Sequence, residues 1–323
     1  MGKSCVKNGV SGMKILIAGM GAIGSMLAGY LVEKNDVFCV GREWHINKIE
    51  EQGYLLLKIL FKSMEKKVIL KHLATSLSKF SNHNFDCIFI CVKAYDLENI
   101  LREIIANRIN SECFVFFQNG LGIEDIARRI LGDMNIIRAL TNNGANIPEP
   151  GVVIHAGLGE TFVGGVFGEK KDFYAKLVVD ILMKAGLPAK FVSDITPCSY
   201  MKILINATIN PLTALLRIRN KGVAEIPWIK PIVKALCNEI SKIAERQGVK
   251  LEEPEKIVFE IAKKTGDNIS SMLQDILKEK KTEIDFINGA IVRLGEKIGI
   301  KTPINETIYY LIKAIENSQP HKV

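Results

Sequence analysis

Three groups of residues in this sequence have the types and spacing that chemistry requires. The first is Gly19-Met20-Gly21-Ala22-Ile23-Gly24, which fits the pattern GxGxxG. It follows the apolar run Lys14 to Ala18 and opens a helix-like segment, the context in which such a turn binds a dinucleotide. Gly19 permits the tight turn, Gly21 lets the backbone approach a pyrophosphate, and Gly24 allows close packing of helix on strand. Met20, Ala22 and Ile23 belong to the same turn. The helix that starts there offers unpaired N–H groups and a partial positive charge to phosphates. The second group ends the following strand, Val40-Gly41-Arg42-Glu43. An acidic residue at that place bonds a ribose 2′-hydroxyl, whereas a guanidinium suits a 2′-phosphate. Arg42 therefore favours NADPH. Glu43 beside it is placed to bond a ribose, which leaves NADH open.

The third group is a polar stripe. Tyr200 to Leu216 is mostly apolar, yet Lys202, Asn206 and Asn210 recur every four residues. On a helix they share one face, drifting by roughly 40° per step. Buried without partners, such groups cost on the order of several kcal/mol each. Either neighbours satisfy them in a polar seam, or they line a cleft. Two further stretches are candidates for an opposite wall. Asn268 to Asp275 carries Ser270 and Ser271, for which an N-cap is the commoner role. Thr282-Glu283-Ile284-Asp285 is expected to open a helix, where its carboxylates favour the dipole. Glu283 is also a natural counter-ion for Lys202 if the two elements face each other.

The elements that must position these residues fall into two textures. Buried strands are predicted at 14–18, 36–40, 85–92, 112–117 and 136–140. Helices are predicted between them at 22–34, 97–107 and 123–131. This alternation implies parallel strands joined by crossover helices, an α/β fold with a doubly wound sheet. Segments 54–60 and 151–167 read as antiparallel additions. A helix over 172–185 and a short strand at 189–192 follow. After about Ser193 strand-like runs stop. Helical periods follow over 198–216, 228–247, 254–265, 270–280, 282–298 and 304–316, with Pro227, Pro231, Pro254 and Pro303 near starts, where proline is tolerated. The expected organisation is an extension over 1–12 that lacks order, a Rossmann-type NADP-binding domain over 13–193, and an all-helical substrate and catalytic domain over 194–323.

Composition bounds the remaining possibilities. The 323 residues suit about two domains of roughly 150 residues. With 48% hydrophobic and 24% charged residues, the chain is neither disordered nor short of core. No run approaches the ~18 apolar residues of a spanning helix, so no membrane partner is expected. The net charge of +8 permits anionic partners, but no basic face interleaved with aromatics points to nucleic acid. The seven cysteines form no CxxC pair and no cluster with zinc spacing, so no metal is expected. They read as reduced thiols, which implies a cytoplasmic location.

Taken in order, these segments resemble the ketopantoate reductase (2-dehydropantoate 2-reductase) family from about Met13 to beyond Pro303. The resemblance rests on the glycine turn at 19–24, Cys91-Val92-Lys93-Ala94, Gln118-Asn119-Gly120, the stretch from Lys202 to Ala214, Ser270 to Asp275, and Thr282 to Asp285. It implies hydride transfer from NADPH to the ketone of ketopantoate, giving pantoate on the way to coenzyme A. It implies Lys202 as the general acid and Glu283 as the carboxylate that orients it and bonds the hydroxyl. It implies Asn206, Asn210 and Ser271 as substrate ligands and Asn220 as a further polar contact. Lys93 and Asn119, at the ends of two sheet strands, are implied to touch cofactor and ketoacid. The sequence departs from the family pattern at Tyr200, at Lys280 and Lys281, and at Thr141-Asn142-Asn143-Gly144. The last of these bears on which ketoacid is used, so a related NAD(P)-dependent 2-oxoacid or β-hydroxyacid dehydrogenase on the same scaffold is the alternative. The expected partner is a small 2-oxoacid, and the expected state is a monomer or homodimer.

Overall fold

The computed structural model describes residues 12–318. All but Gly12 of the expected N-terminal extension lies outside the described residues. The chain divides into two compact units. The first holds the described residues up to Val92, with Asp96–Gln118 and Ile126–Ser193. The second holds Asp194 onward and takes in two short segments, Lys93–Tyr95 and Asn119–Asp125.

The elements from Lys14 to Phe191 run β1 (Lys14–Ala18), α1 (Ala22–Leu31), β2 (Asp36–Val40), α2 (Glu43–Gln52), β3 (Leu55–Ile59), β4 (Met64–Val68), β5 (His72–Ala74), β6 (Asn84–Ile90), α3 (Leu97–Ala106), β7 (Asn110–Phe116), α4 (Ile123–Leu131), β8 (Asn135–Thr141), β9 (Gly144–Asn146), β10 (Val152–Gly157), β11 (Thr161–Phe167), α5 (Lys171–Lys184) and β12 (Ala189–Phe191). Eight of the strands form one sheet in the order β12-β11-β8-β7-β6-β1-β2-β5. From β5 to β8 every pairing is parallel. The order of these strands reverses at β1, the switch point at which such sheets bind ligands beyond their carboxyl ends. Register aligns those ends. Ala18 pairs with Val40 on one side and Ile90 on the other, and Ile90 pairs with Phe116. Gly19, Gly41, Cys91 and Phe117 therefore leave the sheet along one edge. Ile15, Leu16 and Ile17 have no exposed surface. Each such side chain stabilises the unit by roughly 1.5–3 kcal/mol.

Three expectations are corrected here. Segments 54–60 and 151–167 are not simply antiparallel additions. Strands β3 and β10 pair in parallel in a separate four-stranded sheet, β4-β3-β10-β9, and only β11 lies antiparallel in the main sheet, against β8. Strands so far apart in sequence have no hairpin to dictate their direction. Helix α2 and strands β4 and β5 escaped the reading of periodicity. Among the hydrophobic positions of α2 only Ile46 and Ile49 are buried, and β4 is a largely exposed edge strand rich in lysine, so neither shows a clean apolar period.

The second unit is helical: α6 (Thr196–Leu216), α7 (Lys221–Glu225), α8 (Lys230–Arg246), α9 (Pro254–Lys264), α10 (Ser271–Leu277), α11 (Asn288–Ile298) and α12 (Pro303–Asn317). Helix α6 runs through the centre, burying Ile203, Leu204, Ala207, Ile209 and Leu212 among α8, α9, α10 and α12. The third correction concerns Thr282 to Asp285, which opens no α-helix. Ile284–Phe286 is a 3₁₀ turn, and α11 begins only at Asn288. The Thr282 hydroxyl accepts the Ile284 N–H at 3.1 Å, a local bond that leads into this short turn.

Candidate active site

The glycine turn sits between β1 and α1, and each glycine answers a separate demand. Gly19 has φ +113°, and a Cβ there would lie 2.6 Å from the Val92 nitrogen. A Cβ on Gly24 would run into the Gly19 carbonyl oxygen. A Cβ on Gly21 would meet nothing within 4 Å. The first and third glycines thus close the turn on itself, and the second keeps an exposed face bare. No side chain caps α1, and its first turn carries no acidic residue. These are the features a bound pyrophosphate needs: bare backbone, free space and helix N–H groups. Met20 is buried, and Ala22 and Ile23 are half-buried.

A buried relay supports this turn. The Gly151 N–H donates to His45 Nδ1 at 3.0 Å, so Nδ1 is an acceptor and the proton lies on Nε2. Nε2 lies 3.0 Å from the Ser25 hydroxyl, which in turn donates to the Met20 carbonyl at 3.2 Å. Burial pushes the His45 imidazole down to about 4, so the ring is neutral at physiological pH. Nothing in the sequence marks His45, since a single histidine on a polar helix carries no signal of its own. Arg42 precedes α2 and is exposed, with its guanidinium 3.3 Å from Asp96.

In the second unit the polar residues gather around one carboxylate. Glu283 Oε1 accepts the Ala94 N–H at 3.1 Å, and Oε2 accepts from Asn119 Nδ2 at 3.3 Å. Lys93 Nζ lies 3.5 Å from Glu283 and 2.7 Å from Asp275. Asn206 Nδ2 reaches Asn119 Oδ1 at 3.5 Å. Asn119, Asn206, Lys93 and Glu283 are thus brought together. Gly120 makes this possible: it has φ +99°, and a Cβ there would strike the Phe286 carbonyl. Leu121 N–H then bonds that same carbonyl at 2.9 Å, so the segment after Asn119 lies directly against the turn that carries Glu283.

Burial alone would push the Lys93 ammonium down, but the Glu283 and Asp275 carboxylates outweigh it and hold the lysine above its ordinary value. Asp275 also moves up. Its burial, with repulsion from Glu283, exceeds what its pairing with Lys93 takes away. Two carboxylates therefore share one ammonium, an arrangement that fixes the donors and acceptors around Glu283.

Lys202 and Asn206 are half-buried on α6, one turn apart, and Asn210 is buried a turn further on. Thr213 joins α6 to α10, its hydroxyl 2.7 Å from that of Ser270. Ser270 is the N-cap of α10, accepting the Leu273 N–H at 3.2 Å, while Ser271 is exposed in the first turn. Asn220 is buried at the start of α7. Its amide donates to the Thr265 hydroxyl at 2.9 Å. Asp275 joins this group although the sequence suggests no role for it. Its spacing, one helical turn beyond Ser271, was the available signal.

Comparison with known proteins bears on this arrangement. Residues 15–167 match the model described as ketopantoate reductase PanE/ApbA, and residues 194–316 match its C-terminal counterpart. A 2-dehydropantoate 2-reductase of Archaeoglobus fulgidus is 33% identical over 314 residues, covering 94% of this chain and 98% of that protein. A ternary structure of D-mandelate dehydrogenase with NADH and anilino(oxo)acetate is 30% identical with a TM-score of 0.87, covering 96% of this chain and all of that one, 100%. A PanE/ApbA family ketopantoate reductase from Ralstonia eutropha is 25% identical with a TM-score of 0.85 over 96% of this chain and 100% of that one. With an α/β sheet unit, a helical unit and sequence likeness across nearly its whole length, the chain belongs to the ketopantoate reductase PanE/ApbA family of oxidoreductases.

Proposed function

We propose that this protein reduces ketopantoate to pantoate with NADPH, a step toward coenzyme A, with Lys202 as the general acid. The family is NAD(P)H-dependent, and the bare face of Gly21 at the uncapped start of α1 supports a dinucleotide on the first unit. Gly19, Met20, Gly21, Ala22, Ile23 and Gly24 would hold the pyrophosphate. Arg42, exposed at the end of β2, would take the 2′-phosphate and so prefer NADPH over NADH. When bound, the nicotinamide supplies the hydride.

The observation that carries the substrate half is the Lys202, Asn206 and Asn210 stripe, with Asn206 linked through Asn119 to Glu283. As negative charge grows on the ketone oxygen, the Lys202 ammonium stabilises it and donates the proton. Glu283 accepts from the new hydroxyl and orients Lys202, and its own position is fixed by Ala94, Asn119 and Lys93. The Asn206 and Asn210 amides bind the hydroxyl end of the substrate, and Ser271 the carboxylate. Asn220 contributes a further polar contact. On this reading residues 13–193 form the cofactor domain and 194–323 the catalytic domain, with Lys93 and Asn119 touching both cofactor and ketoacid.

The likeness to D-mandelate dehydrogenase supports a second reading, in which another 2-oxoacid is the preferred substrate. Steady-state assays of ketopantoate and a panel of aliphatic and aryl 2-oxoacids, each with NADPH and NADH, separate the two. Ketopantoate with NADPH is expected to give the highest kcat/KM. A larger kcat/KM for another 2-oxoacid would replace the substrate assignment, and a preference for NADH would remove the role given to Arg42.

A further inference from the structure

Helix α6 contains a proline, Pro211, four residues after Ala207. Proline has no N–H, so the Ala207 carbonyl loses its helical partner, and the ring pushes that carbonyl outward. A buried carbonyl without a partner is unfavourable, and here a side chain supplies one. Asn288 Nδ2, with no exposed surface, donates to the Ala207 oxygen at 2.9 Å. The same amide nitrogen donates to Asn305 Oδ1 at 3.0 Å. Asn305 Nδ2 in turn donates to Glu239 Oε2 at 2.7 Å. Glu239 is held by the backbone at the start of α12, accepting the N–H groups of Ile304 and Asn305 at 2.9 and 3.0 Å.

The direction of this chain is fixed from one end. A carboxylate only accepts, so Asn305 must turn its nitrogen toward Glu239 and its oxygen toward Asn288. Asn288 must then present its nitrogen, and that nitrogen is what the orphaned carbonyl needs. With the amide reversed, the Asn288 oxygen would face two acceptors. The orientation present leaves Asn288 Oδ1 without a hydrogen-bond partner among the described residues. Ala207 lies between Asn206 and Asn210, the two amides assigned to the substrate.

We propose that Asn288, aligned by Asn305 and Glu239, is a positioning residue that fixes α6 at Pro211 and thereby sets the bearing of Asn206 and Asn210 toward the 2-oxoacid. This rests on the function proposed above for those two amides. Asn288 touches neither substrate nor cofactor. It acts through the Ala207 carbonyl.

The test compares Asn288→Asp, Asn288→Leu, Pro211→Ala and the double variant Pro211→Ala with Asn288→Leu. Aspartate keeps the shape of asparagine but turns its donor into an acceptor. Each Asn288 variant is expected to raise KM for the best 2-oxoacid by roughly tenfold or more, in line with the cost of small misplacements at a site. NADPH affinity, read by fluorescence titration, should stay unchanged. Pro211→Ala restores an N–H for the Ala207 carbonyl, so adding Asn288→Leu to it should change KM by no more than about twofold, the non-additivity expected of coupled residues. A wild-type KM in Asn288→Asp, or a double variant as impaired as Asn288→Leu alone, overturns the proposal. A second readout needs no substrate. Backbone amide hydrogen exchange over residues 204–212 should speed up in Asn288→Asp, and unchanged exchange overturns the link to α6. If the wild type reduced no 2-oxoacid, the functional reading would fail while this exchange measurement still decided the structural one.

Discussion

Lys93 faces two carboxylates, whereas the Glu283 carboxylate is met by three donors. By its position in the sequence Glu283 is a natural counter-ion for Lys202 if their two elements face each other. In the structure the Glu283 carboxylate is held by Lys93, the Ala94 N–H and Asn119. Glu283 is thus anchored from a segment far from it in sequence, which spacing along the chain does not reveal. The proposed chemistry still asks for an acid beside the ketone and a carboxylate beside the acid. Lys202→Ala and Glu283→Ala are each expected to lose at least roughly 10²-fold in kcat, the usual worth of a positioned acid or base. NADPH titrations of both variants should match the wild type. An unchanged kcat in the lysine variant would remove Lys202 from the mechanism.

At the scale of elements, the turn between β1 and α1 was legible because its context is local: an apolar strand, three glycines in register and a helix. The structure separates what the glycines do. Gly24 is required by the fold, since a side chain there collides with the Gly19 carbonyl, whereas Gly21 faces open space. Gly24→Ala is therefore expected to destabilise the protein by about 1–3 kcal/mol, the cost of overpacking. Gly21→Ala should leave the melting temperature close to wild type while weakening NADPH at least roughly tenfold, about 1.4 kcal/mol. Thermal melts and cofactor titrations of the pair check this, and equal effects of the two on stability would refute it. The start of α11 was misplaced for a complementary reason. Thr282 and Glu283 favour a helix by pattern, but a hydroxyl bond to Ile284 and the partners of Glu283 hold that stretch in a 3₁₀ turn.

At the scale of the whole molecule, two buried histidines link stability to pH. Burial holds His45 down to about 4 against an ordinary 6.5, and burial also lowers His155, which lies 2.8 Å from the Tyr30 hydroxyl and 3.0 Å from the Asn143 amide oxygen. The unfolded chain takes up these protons first as pH falls. For His45 the stability contributed is therefore complete above about 6.5 and is lost between 6.5 and about 4, and His155 acts in the same direction. For His45 the loss amounts to roughly 3 kcal/mol. Melting temperature measured from pH 7 to pH 4 should fall less steeply in His45→Gln than in the wild type. An identical slope would show that His45 does not titrate as its burial requires.

The sequence by itself determined the alternating strands and helices around the glycine turn, the helical second half and the residue types of the site. Each of these depends on neighbours within a few positions: apolar runs for buried parallel strands, and four-residue spacing for the stripe of Lys202, Asn206 and Asn210. Only the tertiary structure decided which distant groups meet. It paired β3 with β10 in parallel, assigned Lys93 and Asn119 to the company of Glu283 and Asp275, and set Asn288 against the carbonyl that Pro211 leaves unpaired. Backbone propensity is local, but the satisfaction of a buried polar group is not. Its partner comes from whatever segment packing brings within hydrogen-bonding distance.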